Sequence, residues 1–419
     1  MGLLKNSGWN LGGYVVPSLI AIPSMGYLAR ALGPELFGIY TLAIAIVGYA
    51  GIFDIGLTRA IVREIAVYRD EYVERKKIIS TSTIFLLLFS TLGALFIYLF
   101  AHQIIGVLNI SIANYSDVYK SLTILVWTIP IFLINQLWMS ILEGDERFAI
   151  LNIQRCFGSS IIAGLPALFV LFSNSLLSAI IGLAVGRLIS LVISFIIVKK
   201  EIRNIRLKFC IKTFKRMIFF GGWITVSNII SPLMVYFDRF VISGIMGAKN
   251  VGYYTAPSEI ISRLSLIPGA LSRAIFPRLS CNDTKSNFKK NVFLSYMVMA
   301  IGCLPIFVIG FYFSSMIMKL WLGTDYAKNS FYILQILLVG FYFNSVAQVP
   351  FTIIQALGKA KYTALLHCAE VLPYVALLYF AVQKYGLKGA AYAWTARVIV
   401  DCLLLIFISN KCMKRYKGI

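Results

Sequence analysis

Gly33-Pro34-Glu35-Leu36-Phe37-Gly38-Ile39-Tyr40-Thr41 returns as Gly247-Ala248-Lys249-Asn250-Val251-Gly252-Tyr253-Tyr254-Thr255, 214 positions later. Working outward, Leu57-Thr58-Arg59-Ala60-Ile61 returns as Leu271-Ser272-Arg273-Ala274-Ile275 at the same offset. Gly144-Asp145-Glu146-Arg147-Phe148 aligns with Gly358-Lys359-Ala360-Lys361-Tyr362, again 214 apart. Arg187 aligns with Arg397 at an offset of 210, so a small deletion lies between. A shared offset over separate matches marks a tandem duplication, with the halves meeting near residue 210.

Composition sets the solvent. The chain has 419 residues, 59% hydrophobic and 13% charged, and a mean hydropathy of +0.82. A soluble chain carries about 25% charged residues, so the bilayer must take the excess apolar surface. Seven scattered cysteines form no CxxC pair and read as unpaired fillers. The N-terminus runs into an apolar span without a small-residue cleavage site, so no cleavable signal is expected.

A spanning helix needs about 20 mainly apolar residues. Twelve segments qualify, near 8–30, 38–66, 78–105, 118–142, 150–172, 177–198, 217–246, 251–278, 290–318, 329–356, 362–383 and 389–410. The connections sort by charge: one set, with both termini, holds twenty-four Lys and Arg, and the alternate set six. Cytoplasmic loops carry that excess, so both termini and the 199–216 linker are expected in the cytoplasm. The net charge of +22 then reflects topology and anionic membrane lipid, and nucleic acid is excluded as a partner.

The expected fold is an all-α polytopic membrane protein, with twelve transmembrane helices in two six-helix lobes. Six spans per half make the repeat parallel, so the lobes should be related by a pseudo-two-fold along the membrane normal. The domains are 1–198, a basic cytoplasmic linker at 199–216, and 217–419. The linker reads equally as an amphipathic surface helix or a solvated tether. Gly33-Pro34 and Gly247 mark tight outer turns. Pro268-Gly269 removes a backbone hydrogen bond inside the eighth span and should kink it.

Lysine is confined to the loops, and nine arginines remain inside the spans: Arg30, Arg59, Arg63, Arg155, Arg187, Arg239, Arg263, Arg273 and Arg397. The acids there include Asp54, Asp238, Glu259, Glu370 and Asp401. Nine arginines facing lipid would cost about 25 kcal/mol on the lenient insertion scale, so part of the set must face a hydrated interior. Glu259 with Arg263, and Arg397 with Asp401, have the i,i+4 spacing of intrahelical pairs. Asp238 and Arg239 point about 100° apart and need partners elsewhere. Arg30, Arg63, Arg155 and Arg273 lie near span ends and can snorkel. Arg59 has no acid at i±3 or i±4 and recurs as Arg273.

A guanidinium donates two parallel hydrogen bonds to a phosphate and keeps its proton. The arginines therefore read as a cationic cavity for a phosphate or diphosphate. The candidates are Arg59, Arg273, Arg263, Arg239, Arg30 and Arg63; Asp54, Asp238, Glu259 and Glu370 are the candidate coupling acids. No P-loop, metal-ligand spacing or Ser/His/Asp arrangement is visible, and His102 and His367 read as structural. The chain is expected not to be an enzyme and to hold no cofactor or metal, with an ion or proton gradient as its available energy source.

The residues that carry a family likeness are Asn10 to Gly33 as the entry helix, Gly33–Gly38-x-Tyr40, and Phe53-Asp54-Ile55-Gly56-Leu57-x-Arg59. In the second half they are Asp238-Arg239-Phe240, Gly247–Gly252-Tyr253-Tyr254-x-Ala256 and Phe276-Pro277-x-Leu279-Ser280. With these the chain resembles, over nearly its whole length, the O-antigen and polysaccharide flippases (Wzx) of the multidrug/oligosaccharidyl-lipid/polysaccharide exporter superfamily. The resemblance implies two six-helix lobes around a central cleft. It implies transport of undecaprenyl-diphosphate-linked oligosaccharide from the inner to the outer leaflet of the bacterial cytoplasmic membrane by alternating access. Membrane lipids and other polysaccharide assembly proteins are the implied partners, around a monomer.

Lipid II flippases are relatives with arginines in helices 1, 2 and 8, where Arg30, Arg59 and Arg263 lie here. They usually carry two further C-terminal helices, so twelve spans favour the polysaccharide branch. The alternatives are a lipid II flippase or a cation-coupled multidrug antiporter of the same superfamily. An antiporter cavity should be acidic or apolar, whereas arginines outnumber acids in these spans. A membrane enzyme such as a repeat-unit polymerase fits neither the short outer loops nor the repeat.

Overall fold

A computed structural model of the chain describes all residues except 1, 50–53, 55–56, 109, 112–113, 204, 281–284 and 416–419. Within the helices, the side chains of 2–15, 220–233, 235, 273–278, 280, 285–287, 360 and 415 also lie outside the description.

The described chain is helical, without strands. Its first part holds α1 (Gly2–Tyr49), α2 (Leu57–Val67), α3 (Tyr72–Leu99), α4 (Ala101–Val107), α5 (Tyr115–Val126), α6 (Thr128–Gly144), α7 (Phe148–Phe172) and α8 (Leu176–Ile202). The second holds α9 (Ile211–Met246), α10 (Ala248–Leu264), α11 (Leu266–Ser280), α12 (Lys285–Tyr312), α13 (Ser314–Leu322), α14 (Thr324–Ala356) and α15 (Ala360–Arg415). Among the described residues, eight helices are long and apolar enough to cross a membrane. One of them, 361–414, contains two of the expected spans, folded at Gly386. This is a multi-pass membrane protein. Large apolar side chains on the outside, such as Phe172 and Leu372, suit lipid rather than water.

The expected turns appear at the repeated glycines. Gly33 has φ 74° and Gly247 φ 85°, the left-handed region that glycine enters without a Cβ clash. The eighth span also breaks as expected, but one turn before its proline. α10 stops at Leu264 and α11 resumes at Leu266. Pro268 cannot donate to the Leu264 carbonyl four residues back, and its ring crowds that carbonyl.

The third repeat match shifts register. Glu146 N–H donates to the Glu143 carbonyl at 3.1 Å and Arg147 N–H to that of Leu142 at 2.9 Å. In the second half, Gly358 donates to Gln355 at 2.9 Å and Lys359 to Ile354 at 3.0 Å. Both stops place a left-handed residue after the helix, Glu146 at φ 57° and Gly358 at φ 71°. The equivalent residues are thus 146 and 358, an offset of 212, and the deletion between the repeats comes in two steps.

Contacts group the chain into two compact units: 1–240 with 247–249, and 241–246 with 250–419. In the first, Leu57 and Ile61 of α2, Ile78 and Leu86 of α3, and Leu137 and Ile141 of α6 form a core with Met217 of α9. α7 and α8 pack with their backbones close: a Cβ on Gly182 would lie 2.7 Å from the Leu165 carbonyl oxygen. Small residues at such crossings are how membrane helices associate. In the second unit, Ala347 and Ile354 of α14 pack against Cys402 and Leu405 of α15.

The linker is neither a surface helix nor a free tether. Residues 205–210 are neither helix nor strand before α9 starts at Ile211. The Ser80 hydroxyl of α3 accepts from the Lys208 N–H at 2.6 Å and donates to the Lys208 carbonyl at 2.9 Å. Thr81 Oγ1 accepts from the Cys210 N–H at 3.1 Å. The linker is strapped to α3 because a segment outside helix and strand has backbone groups to satisfy and two buried hydroxyls meet them.

Candidate functional site

The site begins at Asp54. Its buried carboxylate accepts the Thr58 N–H at 3.0 Å and the Thr58 hydroxyl at 2.7 Å. That satisfies donors left over at the first turn of α2, and α2 carries Arg59 one residue later.

Arg59 does have an acid, though not on its own helix. Its Nη1 lies 3.4 Å from Oε1 of Glu143 on α6. Arg155 of α7 donates Nη2 to Oε2 of the same carboxylate at 3.0 Å. Two cations on one acid leave a net positive charge, and the Arg59 side chain is 64% exposed. Exposed pairs are worth only about 0–1 kcal/mol, so a better anion can take the guanidinium from Glu143. Glu143 was missed because it is 84 residues from Arg59 and stands beside the turn. Its counterpart in the second repeat is the neutral Gln355.

Arg63, one turn after Arg59 on α2, joins an ion-pair network within the first unit. It lies 3.4 Å from the buried Glu64, which also pairs with Arg216 of α9. Arg216 reaches Glu74 at 3.6 Å and covers the Tyr68 ring at 4.5 Å. Arg75 grips Asp145 with a two-pronged contact, at 2.7 and 2.9 Å. These groups fix the short turns between spans.

The Asp238 and Arg239 side chains engage different groups. The Asp238 carboxylate accepts the Arg239 N–H at 2.8 Å. The Arg239 guanidinium, 4% exposed by residue, donates to the Thr41 carbonyl of α1 at 3.4 Å and lies 5.1 Å over the Tyr236 ring. Tyr49 packs edge-on against Tyr236 and Phe240 beside them. A guanidinium over an aromatic face is partly desolvated yet still stabilised.

In the second unit, Glu259 and Arg263 lie 3.9 Å apart, the expected i,i+4 pair. Arg30 is exposed on α1. The side chain of Arg273 lies outside the described residues. Glu370 sits on α15 with Asp401, Arg397 and His367 as its charged neighbours. Arg397 and Asp401 form no ion pair among the described residues. Asp401 instead meets His367 at 3.6 Å, and Arg397 covers Tyr374 at 5.4 Å. Arg187, the repeat partner of Arg397, donates to Thr128 at 2.7 Å and lies 5.6 Å over Phe132, a packing role. His102 is hydrogen-bonded to Tyr115 at 2.6 Å and stacked on Tyr119.

Sequence reading also missed a polar knot joining α6, α7 and α8. Gln154 donates to Ser194 at 2.6 Å, and Ser194 donates to Asn135 at 2.6 Å. Uncharged amides and hydroxyls carry no charge pattern to find them by, and here they tie helices together.

Residues 3–283 match the model of a family described as polysaccharide biosynthesis protein. The chain belongs to that family. A fellow sequence, the "Putative O-antigen transporter" of Shigella flexneri, is 54% identical over 418 residues, covering 100% of both chains. A Klebsiella pneumoniae "Uncharacterized membrane protein in cps region" is 20% identical, covering 97% of this chain and 82% of its own. Among solved structures, the lipid II flippase MurJ in an inward closed conformation matches with a TM-score of 0.80 at 18% identity, covering 98% of this chain and 89% of that one. An inward-facing multidrug resistance MATE family transporter of the MOP superfamily matches with a TM-score of 0.79 at 13% identity, covering 97% and 99%. These two likenesses show that the chain shares the fold of those two structures.

Proposed function

We propose that the chain is a flippase that moves undecaprenyl-diphosphate-linked oligosaccharide, an O-antigen or other polysaccharide repeat unit, from the inner to the outer leaflet. The reading is of a transporter and not an enzyme. The observation that carries it is the Arg59–Glu143–Arg155 group: two guanidiniums share one carboxylate within exposed reach. A diphosphate offers more oxyanions than Glu143 and fits the planar fork of arginine. The name of the Shigella relative, at 54% identity over the full length, supports the same substrate class.

In this reading the diphosphate docks first on Arg59 and Arg155. Arg239, Arg263, Arg30, Arg63 and Arg273 are the further cations of the cavity. The repeat supports lobes of 1–198 and 217–419 that open alternately to each side, while the prenyl tail stays in lipid. The loop charges support a cytoplasmic (inner) membrane location with both termini in the cytoplasm. The protein works as a monomer beside other polysaccharide assembly proteins. The test is complementation of cells lacking their own flippase, with lipid-linked glycan extracted and its leaflet determined. Glycan trapped in the inner leaflet despite normal insertion of the protein would reject the function.

A further inference from the structure

The second unit contains a buried charged cluster that the diphosphate does not need. Glu370 lies 16 residues before the fold at Gly386, and Asp401 lies 15 residues after it. The two arms of α15 therefore bring them level, roughly 23 Å from the fold at 1.5 Å per residue. Glu370 is 9% exposed and Asp401 6%. Among the described residues, no donor group reaches either carboxylate oxygen of Glu370 or Asp401 Oδ1, and no acceptor reaches Arg397 Nε. Buried carboxylate oxygens without donors are costly, and here two such acids face each other across one hairpin.

We propose that Glu370 and Asp401 hold one exchangeable proton between them, delivered through His367. Charge balance supports it. With Arg397 fixed at +1, two ionised acids leave the buried group at −1, and one proton makes it neutral. Two close carboxylates share a proton for this reason. A metal cation fits worse, because Arg397 already supplies the positive charge. Among the described residues, no three His, Cys, Asp or Glu side chains are grouped to hold a metal.

His367 supplies the route. Its side chain is 35% exposed, and its Nε2 lies 3.6 Å from Asp401 Oδ1. A proton taken up on imidazole passes to the Asp401 carboxylate and leaves the ring neutral, so nothing else is consumed. Phe351 of α14 stacks on the ring with an interplanar angle of 9° and holds it in place. Between residues 329 and 356, α14 brings no Asp, Glu, Lys or Arg to the cluster. From α12, Tyr296 lies near Cys402 and Ser409, while Tyr374 is buried under Arg397.

Coupling of this proton to transport rests on the flippase reading, but the site itself does not, so two measurements separate them. In the first, full-length protein in lipid vesicles is stepped from alkaline to acid pH and followed by infrared difference spectroscopy. A protonated-carboxyl band that shifts in heavy water should appear, vanish in Glu370→Gln and in Asp401→Asn, and return in Glu370→Asp. A wild-type spectrum without the band, or a band intact in both amide variants, overturns the site. In the second, lipid-linked oligosaccharide is flipped with and without an imposed proton gradient. The ratio of the two rates should exceed one in the wild type and fall to one in Glu370→Gln. An equal ratio in both overturns the coupling. Wild-type vesicles that flip nothing reject the flippase reading, and the infrared result still decides the proton site.

Discussion

The guanidinium of Arg59 meets the carboxylate of Glu143 at 3.4 Å, across 84 residues of chain. The contact is one a substrate phosphate can replace. Arg59→Ala removes a charged hydrogen bond worth about 1.5–3 kcal/mol, so affinity for lipid diphosphate should fall roughly ten- to a hundredfold. Arg59→Lys should keep part of it, lacking only the fork. Glu143→Gln should tighten binding, since it removes the competing anion. Binding to vesicles carrying the lipid-linked diphosphate reads all three; normal surface polysaccharide with Arg59→Ala at matched protein abundance would remove Arg59 from the mechanism.

Asp54 separates two roles that one buried acid can have. If it caps α2, Asn serves as well as Asp, and Asp54→Asn should transport near the wild-type rate. Asp54→Ala should destabilise the protein by about 0.5–2 kcal/mol, seen as a lower Tm in detergent. Loss of transport in the Asn variant with unchanged Tm would return Asp54 to the coupling acids.

Cys210 reports on the strap. Its thiol is held below the usual range by hydrogen bonds from the Thr213 side chain and backbone, with Lys77 nearby. A lowered value means more thiolate at any pH beneath the ordinary thiol range. Alkylation should therefore begin at lower pH than for a free cysteine and move to higher pH in Thr213→Ala. In intact cells an impermeant maleimide should not reach Cys210; labelling from outside would reverse the orientation.

Glu146 holds φ 57° where the second repeat has Gly358. A side chain in that region costs about 1–2 kcal/mol. It also pairs with Arg69 at 3.2 Å, largely in solvent, worth about 0–1 kcal/mol. Glu146→Gly should thus raise Tm slightly, and a clear drop would show that the Arg69 contact dominates.

Much of the fold was legible because it obeys local rules. The apolar lengths, the glycine turns and the Pro268 break each depend on residues close in sequence. The Glu259–Arg263 pair was legible for the same reason. Glu143 and Asp401 gained their roles from neighbours on other helices or on the far arm of a hairpin, which an i±4 inspection cannot see. The candidate coupling role of Asp54 rests on its intramembrane position, and its local partner, Thr58, is four residues away. The offset of 212 at Glu146 was hidden because Gly144 matches Gly358 by name while the helix stop follows hydrogen bonds.

The strap at 205–210 also governs how the gene can be divided. The repeat invites a cut there, yielding two separately expressed polypeptides of similar size. Such a cut would place Phe214, Met217 and Ile218 on the second polypeptide, although they pack against Leu57, Ile61 and Phe85 of the first. The leading polypeptide would then enter the bilayer with an uncovered greasy socket and with Ser80 and Thr81 stripped of their backbone partners. Any ancestral or engineered version assembled from two chains would have to trade this segment between them.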